Sequence, residues 1–190
     1  MAVHLTKIYT RAGDGGSTRL ADNSEVRKTD ARLIAYADVD ETNSVLGVAL
    51  ATAELDEEVV AVLKAVQNDL FDVGADLSTP LTEAPKYPPL RVAQSYIDRL
   101  EGWCDEYNER LGKLESFILP GGTPGGALLH QARCLARRAE RGAWALMEAE
   151  PERTSSLPAK YLNRLSDLLF ILARIANPHG DVLWKPAGNA

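Results

Sequence analysis

Cysteine is scarce in this chain of 190 residues: only Cys104 and Cys134 occur, so no disulfide framework is available. The two lie far apart, without a C-x-x-C pair or a histidine at metal spacing, and both are expected to be buried thiols in a reducing compartment. Long hydrophobic runs are missing too. No stretch approaches the roughly 18 apolar residues of a membrane-spanning helix. The opening "MAVHLTKIYTR" lacks the apolar core of a signal peptide, so a cytoplasmic location is expected. Positive charge is in deficit. A net charge of −6 argues against broad nucleic-acid binding, so an anionic ligand would have to meet a local basic cluster.

Familiar site patterns are absent as well. There is no G-x-x-x-x-G-K-[ST], and no G-x-G-x-x-G between a strand and a helix. None of the three histidines (His4, His130, His179) supplies the Glu-x-x-His pair of a ferritin-like metal site. No Ser-His-Asp arrangement suggests itself, and no side chain is expected to ligate a metal directly.

What remains is helix. An apolar content of 45% fits a single domain with a sizeable core. Val59, Leu63, Val66, Leu70, Val73 and Leu77 form an unbroken four–three stripe, with Asp56, Glu57 and Glu58 at its start and Pro80 at its end. Ala93, Tyr96, Leu100, Trp103 and Tyr107 give a second stripe. Leu128, Ala132, Leu135, Ala139, Gly142 and Leu146 give a third, and Leu162, Leu165, Leu169, Leu172 and Ala176 a fourth. The segment from about Asp30 to Glu54 also reads as helix. The fold expected is all-α, a bundle of five helices over about 30–177, with a loop over 7–28, a loosely held tail over 178–190 and a Pro-rich connection at 80–89.

Three stretches carry more than a bundle needs. "KIYTRAGDGGSTRL" should form neither helix nor filled strand. Gly13, Gly15 and Gly16 permit positive φ, so N–H groups can converge on an anion, and Thr10, Ser17 and Thr18 add hydroxyls. In "ARCLARRAERGAW", Arg133, Arg137 and Arg141 share a helix face, with Glu140 placed to relieve their repulsion and Arg138 turned aside. Spacing alone fits a solvated basic face or a triphosphate met by planar guanidinium forks. In "FILPGGTPGG", Phe117, Ile118 and Leu119 must find cover, either as a plug for the bundle end or as a wall for a large flat ligand. Asp40 lies in line with Ser44, Gly47 and Ala51, which fits an exposed helix acid, the stronger reading from position alone, or a buried partner among the arginines. Asn163, Asp167, Phe170 and Arg174 form one strip on the last helix.

The motifs "YTRAGDGGSTRL", "AYADVDETNS", "FILPGGT", "ARCLARRAER" and "LNRLSD", in this order, resemble those of the PduO-type ATP:cob(I)alamin adenosyltransferases. The resemblance covers nearly the whole chain. It implies a five-helix bundle assembled as a homotrimer, with ATP held between the N-terminal loop of one subunit and the arginine helix of its neighbour. Thr10, Arg11, Ala12, Gly13, Ser17, Thr18 and Lys28 would contact ATP from one side, and Arg137, Arg138, Ala139, Glu140, Arg141 and Asn163 from the other. Ala12 and Arg11 depart from the usual family residues, which leaves backbone contacts there as the firmer expectation. Arg133 would pair with Asp40 across the interface, and Phe117 and Phe170 would line the lower face of the corrin. Mg²⁺ would arrive with ATP. The implied reaction adenosylates cob(I)alamin and releases triphosphate, with handover of the product to an acceptor enzyme. A cobalamin escort regulated by ATP, or a nucleotide-binding bundle with no corrinoid, are the competing readings.

Overall fold

The computed structural model describes residues 8–85 and 87–186; Lys7, at the head of the expected loop, His4 and residues 187–190 lie outside them. Five helices follow a short hairpin: α1 (Ala31–Thr52), α2 (Glu57–Ser78), α3 (Gln94–Asn108), α4 (Pro124–Ala149) and α5 (Leu157–Ile175). Local chemistry sets their starts. The Asp30 carboxylate accepts from Arg32 N at 2.8 Å to cap α1, and the Thr123 hydroxyl accepts from Gly126 N at 3.0 Å to cap α4, with Pro124 in its first turn.

The stripe from Val59 to Leu77 on α2 is buried along its whole length. On α4 the buried line is Leu129, Ala132, Ala136, Ala139, Ala143 and Leu146, whereas Leu128, Leu135 and Gly142 are not fully buried. The inner line is therefore rotated by about one residue from the expected stripe. Small side chains win the inner position because α4 sits between α1 and α5, and α1 comes close: a Cβ on Gly142 would stand 3.4 Å from Ala35 Cα. On α3, Ile97 replaces Ala93 in the buried line.

Two expectations fail in instructive ways. The glycine-rich stretch does include strand: β1 (Ser17–Arg19) pairs antiparallel with β2 (Glu25–Arg27). The described part of the tail, up to residue 186, is held as well. Leu119 N donates to Val182 O at 2.8 Å and Trp184 N to Phe117 O at 2.7 Å, so residues 182–184 run antiparallel to the segment after α3. The Arg174–Asp181 ion pair at 2.8 Å, nine-tenths buried on both sides, fastens the tail to α5. The Pro-rich connection is anchored too, because Arg91 donates to Asp76, Thr79 and Pro80 at the end of α2. Among the described residues no helix is long and apolar enough to cross a membrane.

One buried charge ties the far end of the bundle. Arg32, only 1% exposed, donates to Leu77 O, to the Glu150 carboxylate, to Arg153 O and to the Thr154 hydroxyl. It satisfies carbonyls left open at the ends of α2 and the turn after α4. Arg32→Ala strands these acceptors and a partly buried carboxylate, and should cost about 3–5 kcal/mol in denaturant unfolding. A loss below about 1 kcal/mol would show that water replaces the guanidinium freely.

Candidate functional site

The exposed face of α4 carries the basic residues, opposite its alanine line. Arg137 and Arg141 are exposed and make no ion pair or side-chain hydrogen bond with any described residue. Arg138 does turn aside as expected: its Nε reaches Asp38 at 3.1 Å, and it also pairs closely with Glu41, so α1 holds it. Glu140 makes no ion pair with a described arginine. It accepts from Asn163 Nδ2 at 3.0 Å and from Trp144 Nε1 at 3.4 Å, joining two of the expected contact residues across α4 and α5.

The N-terminal segment forms a compact loop on the hairpin. Only Gly16 among its glycines takes a positive φ, at 84°, while Arg11 adopts 61°. The expectation that Gly13 and Gly15 would do so is not met. Gly13 serves a close approach instead, since a Cβ there would lie 2.9 Å from Lys28 Nζ. The ammonium is thus laid against the loop backbone. The Ser17 hydroxyl donates to Glu25 at 2.6 Å, and Thr10 Oγ1 accepts from Ala12 N at 3.5 Å. Thr18 and Lys28 edge a shallow hollow against Leu33, Ile34 and Ala37 of α1. No described loop residue makes a hydrogen bond or ion pair with Arg133, Arg137 or Arg141 within the protomer.

By helix position alone Asp40 reads as an exposed helix acid, and its pairing with Arg133 is expected only across a subunit interface. It is exposed on α1 beside exposed Ser44, and no described cation pairs with it in the protomer. Both belong to a helix face that this chain leaves open.

At the other end of the arginine face, Phe117, Phe170 and Arg133 are brought together. They line a cavity of about 880 Å³ with Leu114, Ile118, His130 and Trp184. Phe117 does not plug the bundle: it is 78% exposed, its ring edge-to-face with Trp184 at 6.1 Å. The turn that follows it is braced by Asn177. Asn177 accepts from Thr123 N at 2.9 Å and donates to Gly121 O at 3.1 Å, and a Cβ on Gly122 or Gly126 would collide with its amide. Asp167 pairs with Arg164 at 2.6 Å and stands outside this cavity.

Residue spacing singles out His130 for nothing but metal ligation, and there it fails. It lies on the arginine face, three residues before Arg133, and its ring packs edge-to-face on Phe170 at 5.9 Å. Burial, with Arg133 nearby, holds its pKa below the ordinary 6.5, against the opposing pull of Asp181. Trp184 carries no local signal, because only the folded tail brings it to the cavity. Cys134 is exposed rather than buried, and half-buried Cys104 has its thiol pushed up to about 11, chiefly by burial. Among the described residues no group of three His, Cys, Asp or Glu side chains comes together that could hold a metal ion.

The chain is similar to known proteins in sequence and in fold. Residues 8–176 match the model of the family described as cobalamin adenosyltransferase. The chain is 67% identical over 189 residues to the corrinoid adenosyltransferase of Mycobacterium tuberculosis, covering 100% of this chain and 98% of that protein. A PduO-type ATP:corrinoid adenosyltransferase from Lactobacillus reuteri, a phenylalanine-to-alanine variant complexed with cobalamin and ATP, superposes with a TM-score of 0.87 at 35% identity, covering 94% of this chain and 99% of that one. An arginine-to-lysine variant from the same organism, complexed with ATP, gives 0.84 at 35% identity, covering 94% and 100%.

Proposed function

Because the chain belongs to the cobalamin adenosyltransferase family, we propose that it transfers the 5′-deoxyadenosyl group of ATP to the cobalt of cob(I)alamin. One observation carries the reading. The open α4 face runs from two unpaired arginines, Arg141 and Arg137, through Arg133 into an aromatic-walled cavity. A polyanion site and a site for a flat apolar ring therefore share a single helix face.

The chemistry asks little of the protein's own nucleophiles. The cob(I) electron pair attacks C5′, a cobalt–carbon bond forms, and the C5′–O bond breaks with its electrons leaving on triphosphate. This chain's residues orient C5′ and stabilise the departing charge. Arg137 and Arg141 meet the phosphates, with the backbone of Arg138 and Ala139 alongside. The Glu140–Asn163 pair offers a fixed acceptor and amide to the nucleoside. Thr10, Arg11, Ala12, Gly13, Ser17, Thr18 and Lys28 close over the nucleotide. A Mg²⁺ ion would be carried by phosphate oxygens and share the charge with the arginines. Phe117 and Phe170 border the corrin from below.

The loop and the arginines lie apart within one protomer, which supports an active site shared between subunits of a homotrimer. Asp40, exposed and unpaired on α1, is then assigned to Arg133 of a neighbouring subunit. Mixing Lys28→Ala protein with Arg137→Ala protein should regenerate some intact interfaces and part of the activity. If subunits exchange and the mixture stays inactive, the shared site is wrong. The reaction itself is tested by incubating the protein with ATP and chemically reduced cob(I)alamin. The adenosylcobalamin spectrum and stoichiometric triphosphate are expected, and no spectral change would overturn the assignment.

A further inference from the structure

One wall of the aromatic cavity is not helix. Ser116, Phe117 and Ile118 lie on the segment before α4, and Trp184 joins them from the tail. The two segments form a short antiparallel ribbon. Trp184 N donates to Phe117 O at 2.7 Å, Ser116 Oγ to Trp184 O at 2.9 Å, and Leu119 N to Val182 O at 2.8 Å. Apolar burial does little to hold it down: Phe117, Leu119, Val182, Leu183 and Trp184 are between 44% and 78% exposed. A lone pair of strands is only marginally stable in water, so the ribbon needs an anchor on the bundle. Arg174, near the end of α5, reaches both segments. Its Nε donates to Asp181 Oδ2 at 2.8 Å, next to Val182, and its Nη2 donates to Gly112 O at 2.9 Å, at the start of the segment after α3. Both charged side chains are nine-tenths buried. Asp181 Oδ1 has no hydrogen-bond partner among the described residues, so the carboxylate depends on Arg174.

We propose that Arg174 and Asp181 are positioning residues for the reduction of bound cob(II)alamin, their ion pair clasping the ribbon that carries Phe117. The inference rests on the corrinoid reading of the cavity. Neither side chain touches the reacting atoms. Both act through residues 182–184, which hold the Phe117 carbonyl and pack Trp184 edge-to-face on its ring. A shift of about 1 Å in a positioning group can cost roughly a hundredfold in rate, so the ribbon need not unfold for the effect to show. The far end of the loop has its own brace, because Asn177 bonds Gly121 and Thr123 independently of the clasp. Breaking the ion pair should therefore loosen the ribbon and leave the entry into α4 in place. The clasp makes no hydrogen bond or ion pair with Arg137 or Arg141, so ATP should bind as before. The loss falls on the face that Phe117 covers.

The test is Asp181→Ala in the full chain, because Asp181 lies outside the helices and its loss leaves their packing intact. Circular dichroism checks the fold. Amide exchange at Leu119 and Trp184 should quicken by roughly tenfold or more, while core amides of α2 stay protected. With ATP present, the four-coordinate signal of bound cob(II)alamin should lose most of its intensity. Turnover started from cob(II) and a reductant should fall roughly tenfold further than turnover supplied with cob(I), whereas a purely structural part would lower both alike. Asp181→Asn keeps an acceptor for Arg174 Nε and should show smaller effects of the same sign. Adding Asp181→Ala to Phe117→Ala should not enlarge the cob(II) penalty, because both substitutions act through one ring. Wild-type exchange at Leu119 and Trp184 in folded Asp181→Ala overturns the clasp. A four-coordinate signal equal to wild type, or fully additive penalties in the double variant, overturns its role in reduction. A wild-type protein that binds no cobalamin removes the corrinoid reading and the reduction role with it. Amide exchange tells that failure apart, since it reports on the clasp without any corrinoid.

Discussion

Replacing Arg137 by Ala is expected to slow adenosyl transfer by roughly 10²–10³-fold while leaving the helical fold and cobalamin binding in place. The side chain is exposed on α4 and holds no described partner, so its removal leaves no buried acceptor unmet. It also sits one turn from both Arg133 and Arg141. Relieving two like-charge neighbours should raise helix stability by a few tenths of a kcal/mol. The loss is then confined to the step in which triphosphate departs, where one preorganised donor typically contributes about 2.7–4 kcal/mol. Arg138 provides the contrast. Its charge is already taken by Asp38 and Glu41, and a partly exposed pair of this kind contributes less than about 1 kcal/mol to stability. Arg138→Ala should therefore loosen the α1–α4 contact slightly and reduce turnover far less. An Arg137→Ala protein that binds cobalamin and turns over within about threefold of wild type would make the arginine face an ordinary solvated surface. One that stops turning over but keeps cobalamin bound separates an enzyme from an escort.

The contrast between these arginines shows how far periodicity reaches. Arg133, Arg137 and Arg141 are aligned by helix geometry alone, so their common face is legible in the order of residues. That Arg138 turns aside is legible too, but not that Asp38 and Glu41 hold it, because the pairing depends on where α1 crosses α4. The helices themselves are legible for the same reason, through apolar stripes that repeat at helical spacing. The strand pairing of Ser17–Arg19 with Glu25–Arg27 is not, because three-residue strands leave no alternation to detect. Gly13 suggests an unusual φ, whereas its task is to let Lys28 approach, a tertiary contact invisible to local conformational preference. The tail is where composition misleads most. "PHGDVLWKPAGNA" reads as loose, yet Asp181 finds Arg174 at the end of α5, and Trp184 finds Phe117 across a long stretch of chain. His130 does carry a local signal, since its position three residues before Arg133 places it on the same face. That signal speaks of a shared surface and says nothing of metal chemistry, where a histidine first draws the eye.

Phe117→Ala is expected to act on the reduction state of bound cobalamin more than on transfer itself. Cob(II)alamin in water keeps an axial ligand below its ring, and that donor raises the orbital that must accept the next electron. An apolar side chain pressed against the lower face excludes both water and the cofactor's own base. The remaining four-coordinate cobalt is easier to reduce. Phe117 is suited to this because it is largely uncovered, 78% exposed beside the cavity, and because its carbonyl accepts from Trp184 N at 2.7 Å, which ties its backbone to residue 184. Its ring packs edge-to-face on Trp184 at 6.1 Å. Truncation should cost little stability, since so exposed a ring contributes little to the core. The desolvation argument makes a spectroscopic claim in place of a general one. With ATP bound, the four-coordinate signal of cob(II)alamin should shrink sharply in Phe117→Ala. Turnover that starts from cob(II) and a reductant should fall roughly tenfold further than turnover supplied with pre-reduced cob(I), a barrier difference of about 1.4 kcal/mol. Equal losses in the two assays, with the four-coordinate fraction unchanged, would assign Phe117 to holding the tail through Trp184 and remove it from the chemistry.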